Sequence, residues 1–403
     1  MSIFVLKISF INLNMNIIVP RYIFLPDATI KNDLAVILKS DGTIVEVLPI
    51  NKINSKADNI KYHNGLLLPG LINCHCHLEL SWCKGLYSPN TGIEAFYGAM
   101  KNIQKLRPNE DIINEAINNT IKIFKRQGVV AVADISNTKV SLEAKTKSDI
   151  YFHTFLEAFG MSENDAKSKL DNLIYLQKEF IDHKQSCSLS AHTLFTLSNS
   201  LMSGLMKHIS DSGNMHSIHF SESQEEIQYF EKKRPIKNVH KNTEKQSIYN
   251  SAFEAASGLL PQKNKIVFVH NTFADKKCVE NILKHFKDPW FCFCPSSNQF
   301  ITNSLPDIYM INTLTSKILI GTDSLSSNND LNMFKEIDLI LKKFPELKVE
   351  TLLKVATLNG ANFMGIDKTY GSIEKNKKPG LILLENYQPG LRELSNLKIK
   401  LIA

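Results

Sequence analysis

The sequence predicts an α/β protein: a (β/α)8 TIM barrel over residues 68–370, carrying a small β-sandwich domain built from residues 1–67 and 371–403. Three features predict it. Eight short runs of β-branched and aromatic residues recur between residues 70 and 323, most gaps between them hold segments of helical period, and both flanks alternate at period two.

The runs begin with GLINCHCH (70–77), VVAVADI (129–135), IYFHTFLEA (150–158) and CSLSAH (187–192). HSIHF (216–220), KIVFVH (265–270), WFCFCP (290–295) and KILIGTD (317–323) complete the set. Among the gaps, residues 109–128 and 162–181 place apolar side chains three and four apart, and each opens on a capping residue, Asn109 or Ser162. In the flanks, KSDGT (39–43) and NYQPG (386–390) supply turns between alternating stretches. Residues 1–19 are apolar, but Lys7 interrupts them and no small-residue cleavage site follows, so a strand is expected there rather than a signal peptide. Met15 opens a complete strand-turn-strand of its own, which makes residues 1–14 a candidate over-extension of the start.

The 403 residues are 43% hydrophobic and 22% charged, an ordinary balance for a globular chain. No run approaches the ~18 uncharged apolar residues that span a bilayer. The net charge of +7 comes from lysines dispersed along the chain, without an Arg-rich or aromatic-interleaved stripe, which argues against a nucleic-acid partner. Seven cysteines, an odd number without a CxxC pair, argue against a disulfide framework and for a reducing cytoplasm.

Chemistry in such a barrel gathers where the strands end. The first run closes on His75-Cys76-His77, the fourth on His192, the fifth on His219, the sixth on His270 and the eighth on Asp323. Alternation along a strand puts His75 and His77 on one face and Cys74 with Cys76 on the other, where the thiols would lie under the helices as small hydrophobes. Neutral imidazoles with one carboxylate suit Zn2+ in first place, or Fe2+, better than Mg2+ or Ca2+. The expected ligands of one divalent ion are therefore His75, His77, His219 and Asp323. Such an ion lowers the pKa of a bound water from about 15.7 to about 7, worth on the order of 12 kcal/mol of hydroxide at neutrality. Glu222, three residues past His219, is placed for general acid/base work, whereas Glu225 and Glu226 read as first-turn residues favoured by the helix dipole. His270 is expected to hydrogen-bond the water.

These residues resemble the amidohydrolase superfamily, in particular its deaminase-like and chlorohydrolase-like branch. LLLPGLINCHCHLELS looks like that branch's PG-x-x-N-x-H-x-H opening, HFSE like its HxxE, and CPSSN (294–298) like its CPxSN. GTDSLSSNNDLNMFKEI (321–337) is similar to its GTD-x-x-x-SNN segment, and the likeness spans roughly residues 20–385. The resemblance implies a mononuclear site with hydrolytic deamination of an aminated heterocycle, a 6-aminopurine derivative foremost. It implies that Glu222 protonates a ring nitrogen while Asp323 and His270 take the water's proton and pass it to departing ammonia, and that His192 touches substrate. Within the branch, HCHLELS, TDSLSSNNDLNM and FLEAFG look closest to the aminodeoxyfutalosine deaminases, which adds Glu79, Glu157 and Ser326 as pocket candidates. Two departures stand out: Phe293 where the branch usually has His, and KPG (378–380) in place of AD, the latter expected to affect only the β-domain.

Hydrolysis of a ring halide or a cyclic amide would use the same groups, and a non-catalytic metal-binding scaffold is the remote alternative, disfavoured by the presence of Glu222 and Asp323. The expected partner is a small heterocyclic substrate, with no membrane or nucleic acid. A homodimer through the barrel helices is compatible with the pattern.

Overall fold

The computed structural model describes residues 15–53, 59–240 and 247–403. Residues 1–14, which hold the over-extended start and most of the strand expected over 1–19, lie outside the described residues, while residues 15–19 belong to the strand Met15–Phe24. All eight expected runs form central strands: Leu71–Cys76, Val129–Ser136, Tyr151–Ala158, Ser186–Ala191, His216–Phe220, Lys265–His270, Asp288–Phe293 and Ile318–Ile320. They pair in chain order as two four-stranded parallel sheets. The sheets meet at both edges. Between the fourth and fifth strands, the His219 N–H donates to the His192 carbonyl at 3.0 Å. Between the eighth and first, Cys76 bridges to Asp323, and the N–H groups of Thr322 and Asp323 both donate to the His75 carbonyl at 3.0 Å.

Alternation divides the apolar side chains. Ile218, Phe220, Ile266, Phe268, Phe291 and Ile320 pack with helix residues such as Ile117, Phe124 and Ile337. On the opposite face, Ala131, Ala133, Val267, Val269 and Leu319 pack together with Phe363 of the short helix Gly360–Met364. Each fully buried aliphatic or aromatic side chain contributes roughly 1.5–3 kcal/mol, so these two clusters dominate the stability. The cysteines depart from expectation. Cys74 joins the inner cluster with Cys292, whereas Cys76 joins the outer one. A register shift between Asn73 and Cys76 interrupts strict alternation and separates the two thiols.

The helix expected over 109–128 runs Glu110–Arg126, with the Asn109 side chain accepting from the Ile112 N–H. The segment expected over 162–181 starts later, as Ala166–Asp182. Its upstream residue Glu163 is engaged elsewhere, accepting from the N–H groups of Asn199 and Ser200 at 2.8 and 3.1 Å, at the start of helix Asn199–Ser212.

The two ends of the chain share one seven-stranded mixed sheet. Ile60–Pro69 is its hinge, parallel to Met15–Phe24 and antiparallel to Leu381–Glu385. One face carries Ile17, Val19, Ala35 and Ile37, the other Ile18, Val36, Leu38, Leu67 and Leu383. Leu66, Leu68, Ile382 and Leu384 extend the sheet into the main core. Ile60–Pro69 runs straight into the first central strand through Gly70, whose N–H donates to the Gly380 carbonyl at 2.8 Å. A Cβ at Gly70 would lie 2.3 Å from a Val130 methyl and 2.9 Å from the Pro379 carbonyl oxygen, so only glycine fits. Pro379 and Gly380, expected to matter to the β-domain alone, thus seat the entry of the first central strand. No described helix is long and apolar enough to cross a membrane.

Candidate metal centre and active site

His75 and His77 end the first strand with Nε2 atoms 3.1 Å apart. Asp323 Oδ1 lies 3.3 Å from His77 Nε2 and 3.7 Å from His75 Nε2. The contact exists because Gly321 lets the eighth strand approach the first: a Cβ there would stand 2.7 Å from His75 Cβ. Asn73 reinforces it, accepting from the Thr322 N–H at 3.2 Å and donating to Thr322 Oγ1 at 2.7 Å. His219 Nδ1 donates to the His192 carbonyl at 2.9 Å, which turns its Nε2 lone pair toward the cluster. Ligand-capable atoms of His75, His77 and Asp323 lie within 4.8 Å of one another, as do those of His75, His219 and His270, and those of Glu157, His192 and His219. The four expected ligands therefore converge around His75, with His219 grouped on the side of His270.

This donor set fits a tetrahedral ion. Bonds of about 2.0–2.1 Å put neighbouring ligand atoms about 3.3–3.4 Å apart, close to the His75–His77–Asp323 spacings. Burial holds His77 and His270 well below the usual imidazole range and His219 down to about 4, so all three present as neutral bases. For Asp323, burial pushes upward, but the hydrogen bond from His75 and the attraction of the neighbouring His77 and His270, greatest if either takes a proton, outweigh it and hold the carboxyl well below its ordinary value. Its second oxygen accepts from the hydroxyls of Ser297 and Ser327 at 2.5 and 2.8 Å.

Glu222 has the opposite character. Burial first, then the carboxyl groups of Asp323, Glu226 and Glu157, raise it well above the usual range, so it holds its proton more tightly than an ordinary glutamate. Its Oε1 lies 3.6 Å from His270 Nε2. Glu226, expected as a dipole residue, instead reaches back to accept from the N–H groups of Ser221 and Glu222, both at 2.9 Å, and fixes the left-handed turn at Ser221 (φ 48°) from which Glu222 projects. His270 (φ 75°) and Asp323 (φ 57°) are also left-handed, a conformation costing about 1–2 kcal/mol for such residues. The side chains at the strand ends are aimed by strained backbone. Asn298 Nδ2 lies 3.3 Å from His270 Nδ1 and donates to Thr272 Oγ1 at 2.7 Å, which leaves the His270 Nε2 edge to face Glu222.

The remaining pocket candidates fall in different places. His192 has its ring 4.9 Å from that of His219 and its Nδ1 3.0 Å from Thr196 Oγ1. Glu157 Oε1 lies 3.5 Å from His219 Nδ1, and burial raises its carboxyl to about 8. Glu79 has both oxygens engaged, accepting from the N–H groups of Asn137 and Thr138 and from the Thr138 hydroxyl at 3.0–3.1 Å. Ser326 is buried with its hydroxyl against Ser324. Sequence reasoning passed over Tyr97, on helix Ile93–Gln104. Its ring stands 6.1 Å from His192, and burial together with Glu222, Glu226 and Glu157 raises its hydroxyl. The available signal was the adjacent aromatic pair Phe96-Tyr97, of which Phe96 is buried and Tyr97 only partly so.

Imidazoles, one carboxyl held low and another held high, gathered where parallel strands end, are groups that a hydrolase uses. The amidohydrolase family model matches residues 66–400, and the chain belongs to that family. It is 27% identical over 355 residues to an adenosine deaminase of Helicobacter pylori, covering 85% of each chain. It is 24% identical over 400 residues to an aminodeoxyfutalosine deaminase of Nitratiruptor sp., covering 96% of this chain and 95% of that one. Among solved structures, the aminofutalosine deaminase of Helicobacter pylori in complex with methylthio-coformycin superposes with a TM-score of 0.80 at 24% identity, over 95% of this chain and 97% of that one. An adenosine deaminase from Xanthomonas campestris with bound zinc gives 0.72 at 20% identity, over 95% and 88%.

Proposed function

We propose that this chain deaminates a 6-aminopurine derivative, an adenosine-like or aminodeoxyfutalosine-like nucleoside, by hydrolysis. The observation that carries the reading is Glu222 Oε1 standing 3.6 Å from His270 Nε2 beside Asp323, with the Glu222 carboxyl raised and that of Asp323 lowered: one proton donor and two acceptors around one point. His75, His77, His219 and Asp323 would hold the divalent ion, Zn2+ in the first instance. When bound, the ion supplies Lewis acidity that makes water a competent nucleophile near neutral pH. Glu222 donates its proton to the purine ring nitrogen next to the reacting carbon, which makes that carbon electrophilic. Asp323 and His270 accept a proton as water adds. The C–O bond forms, the proton passes to the amino nitrogen, the C–N bond breaks and ammonia leaves as the new ring carbonyl forms, its hydroxyl proton returning to Glu222.

In the same reading the eight strands close into a (β/α)8 barrel over 68–370, with residues 1–67 and 371–403 as its sandwich-like accessory domain in a reducing, cytoplasmic setting. His192 and Tyr97 line the base pocket together with Glu157. Glu79 shapes the wall through Asn137 and Thr138, and Ser326 lies under the rim.

The test is ammonia release by zinc-loaded protein from adenosine, methylthioadenosine, aminodeoxyfutalosine, guanine and aminated triazines, with Glu222→Gln alongside. We expect release from the 6-aminopurine nucleosides, lowered about 10²- to 10⁴-fold in kcat by the variant at unchanged metal content. Silence across the panel from fully metallated protein refutes the proposal.

A further inference from the structure

Behind the first strand lies a second, buried cluster. Lys145, on helix Leu142–Thr146, is 1% exposed, and its Nζ stands 2.5 Å from Asp134 Oδ2, both side chains fully enclosed. Lys145 also donates to Thr154 Oγ1 at 2.9 Å and Ser136 Oγ at 3.2 Å, and lies over the rings of Phe180 and Phe152. Asp134 uses its other oxygen to accept from the Leu78 N–H at 2.7 Å, the peptide immediately after His77.

Fold stability does not explain such a pair. Removing two ions from water is costly, and replacing a buried pair with apolar residues is often neutral or stabilising. Ser136 Oγ links the cluster to Ser141 Oγ at 3.2 Å, while the bond to Leu78 leads to the point where the chain leaves the strand and His77 must turn toward the ion. The helix holds Lys145, Lys145 holds the carboxylate, and the carboxylate holds the peptide.

We propose that Lys145 and Asp134 are positioning residues for His77, setting the affinity of the metal centre from outside it. This rests on the metal reading of His75, His77, His219 and Asp323, and its test does not depend on turnover. Two charge-neutral double variants separate a positional role from a structural one. Asp134→Asn with Lys145→Met keeps an acceptor for the Leu78 N–H, whereas Asp134→Leu with Lys145→Met removes it. Zinc affinity is measured on metal-free protein by competition with a chromophoric chelator, alongside urea unfolding. The leucine pair should bind zinc about 10- to 100-fold more weakly than the asparagine pair, the usual effect of losing an outer-shell partner. Equal affinities overturn the inference. If the leucine pair does not fold, Thr154→Val, which removes one acceptor from Lys145 and keeps every charge, should weaken zinc by about threefold, and an unchanged constant overturns the inference equally. A wild-type chain that binds neither Zn2+ nor Fe2+ overturns the metal reading itself.

Discussion

Gly321→Ala tests the junction on which the centre depends. The new methyl would sit 2.7 Å from His75 Cβ, 2.8 Å from the His75 carbonyl oxygen and 2.9 Å from its nitrogen. Ordinary carbon contacts lie at about 3.5–4.0 Å, so the eighth strand must retreat from the first by roughly 1 Å. The Thr322 and Asp323 N–H groups, now 3.0 Å from the His75 carbonyl, would then pass beyond hydrogen-bonding reach. Two such bonds at about 1 kcal/mol each, added to about 1–3 kcal/mol of overpacking, give a loss of about 3–5 kcal/mol. A domain of ordinary stability has about 5–15 kcal/mol in total, so the variant should fold but unfold at a much lower urea midpoint. The retreat also lengthens the 3.7 Å separation of His75 Nε2 and Asp323 Oδ1, so zinc affinity should fall in the same protein. The measurements are urea unfolding of the metal-free chain and chelator competition. An alanine variant with wild-type midpoint and wild-type affinity refutes the reasoning.

Other outcomes follow from the same geometry. Ser297→Ala with Ser327→Ala strips both hydroxyl donors from Asp323 Oδ2 and should weaken zinc by about 10-fold or more, with each single change milder, read by the same competition. Glu157 is raised to about 8 in the fold, so between its unfolded value and pH 8 the native state holds a proton that the unfolded chain has lost. Stability of the metal-free protein should therefore fall with rising pH across that window, and Glu157→Gln should take up to about 1.4 kcal/mol per pH unit off that slope in urea titrations. Glu79→Ala leaves the N–H groups of Asn137 and Thr138 without their acceptor and should cost about 1–3 kcal/mol per unsatisfied donor. If instead the variant keeps its unfolding midpoint and loses only KM, Glu79 is a substrate contact.

Much of the centre was legible because strand ends are marked in sequence by the residue that follows the last apolar position. His75, His77, His219, His270 and Asp323 all stand there, and the structure brings them together. Boundaries were less legible where local chemistry competes. The eighth strand was read to residue 323, but its continuous ladder runs over Ile318–Ile320, and past Gly321 the left-handed Asp323 keeps only an isolated bridge to Cys76. The seventh ends at Phe293 because Pro295 opens a helix. Glu226, Asp134 and Lys145 could not be found by pattern. Their partners are backbone N–H groups or one another, and nothing in "LEAKTKSD" distinguishes a lysine that is buried from one that is solvated. The split of Cys74 from Cys76 depended on a register shift that alternation alone does not encode.

The joint at Gly70 bears on how the protein is made. The strand that delivers His75 and His77 is a continuation of Ile60–Pro69, and that strand is paired on its far edge with Leu381–Glu385, Pro69 opposite Leu381. During synthesis the first two metal ligands emerge long before this edge partner exists. The ligand strand must wait, with its entry unseated, until Pro379 and Gly380 have left the ribosome. Contacts so distant in the chain close late and slowly. The proposed metal centre would therefore report on completion: a chain cut short before residue 379 can carry His75, His77, His219 and Asp323 and still lack the seat that aims the first two.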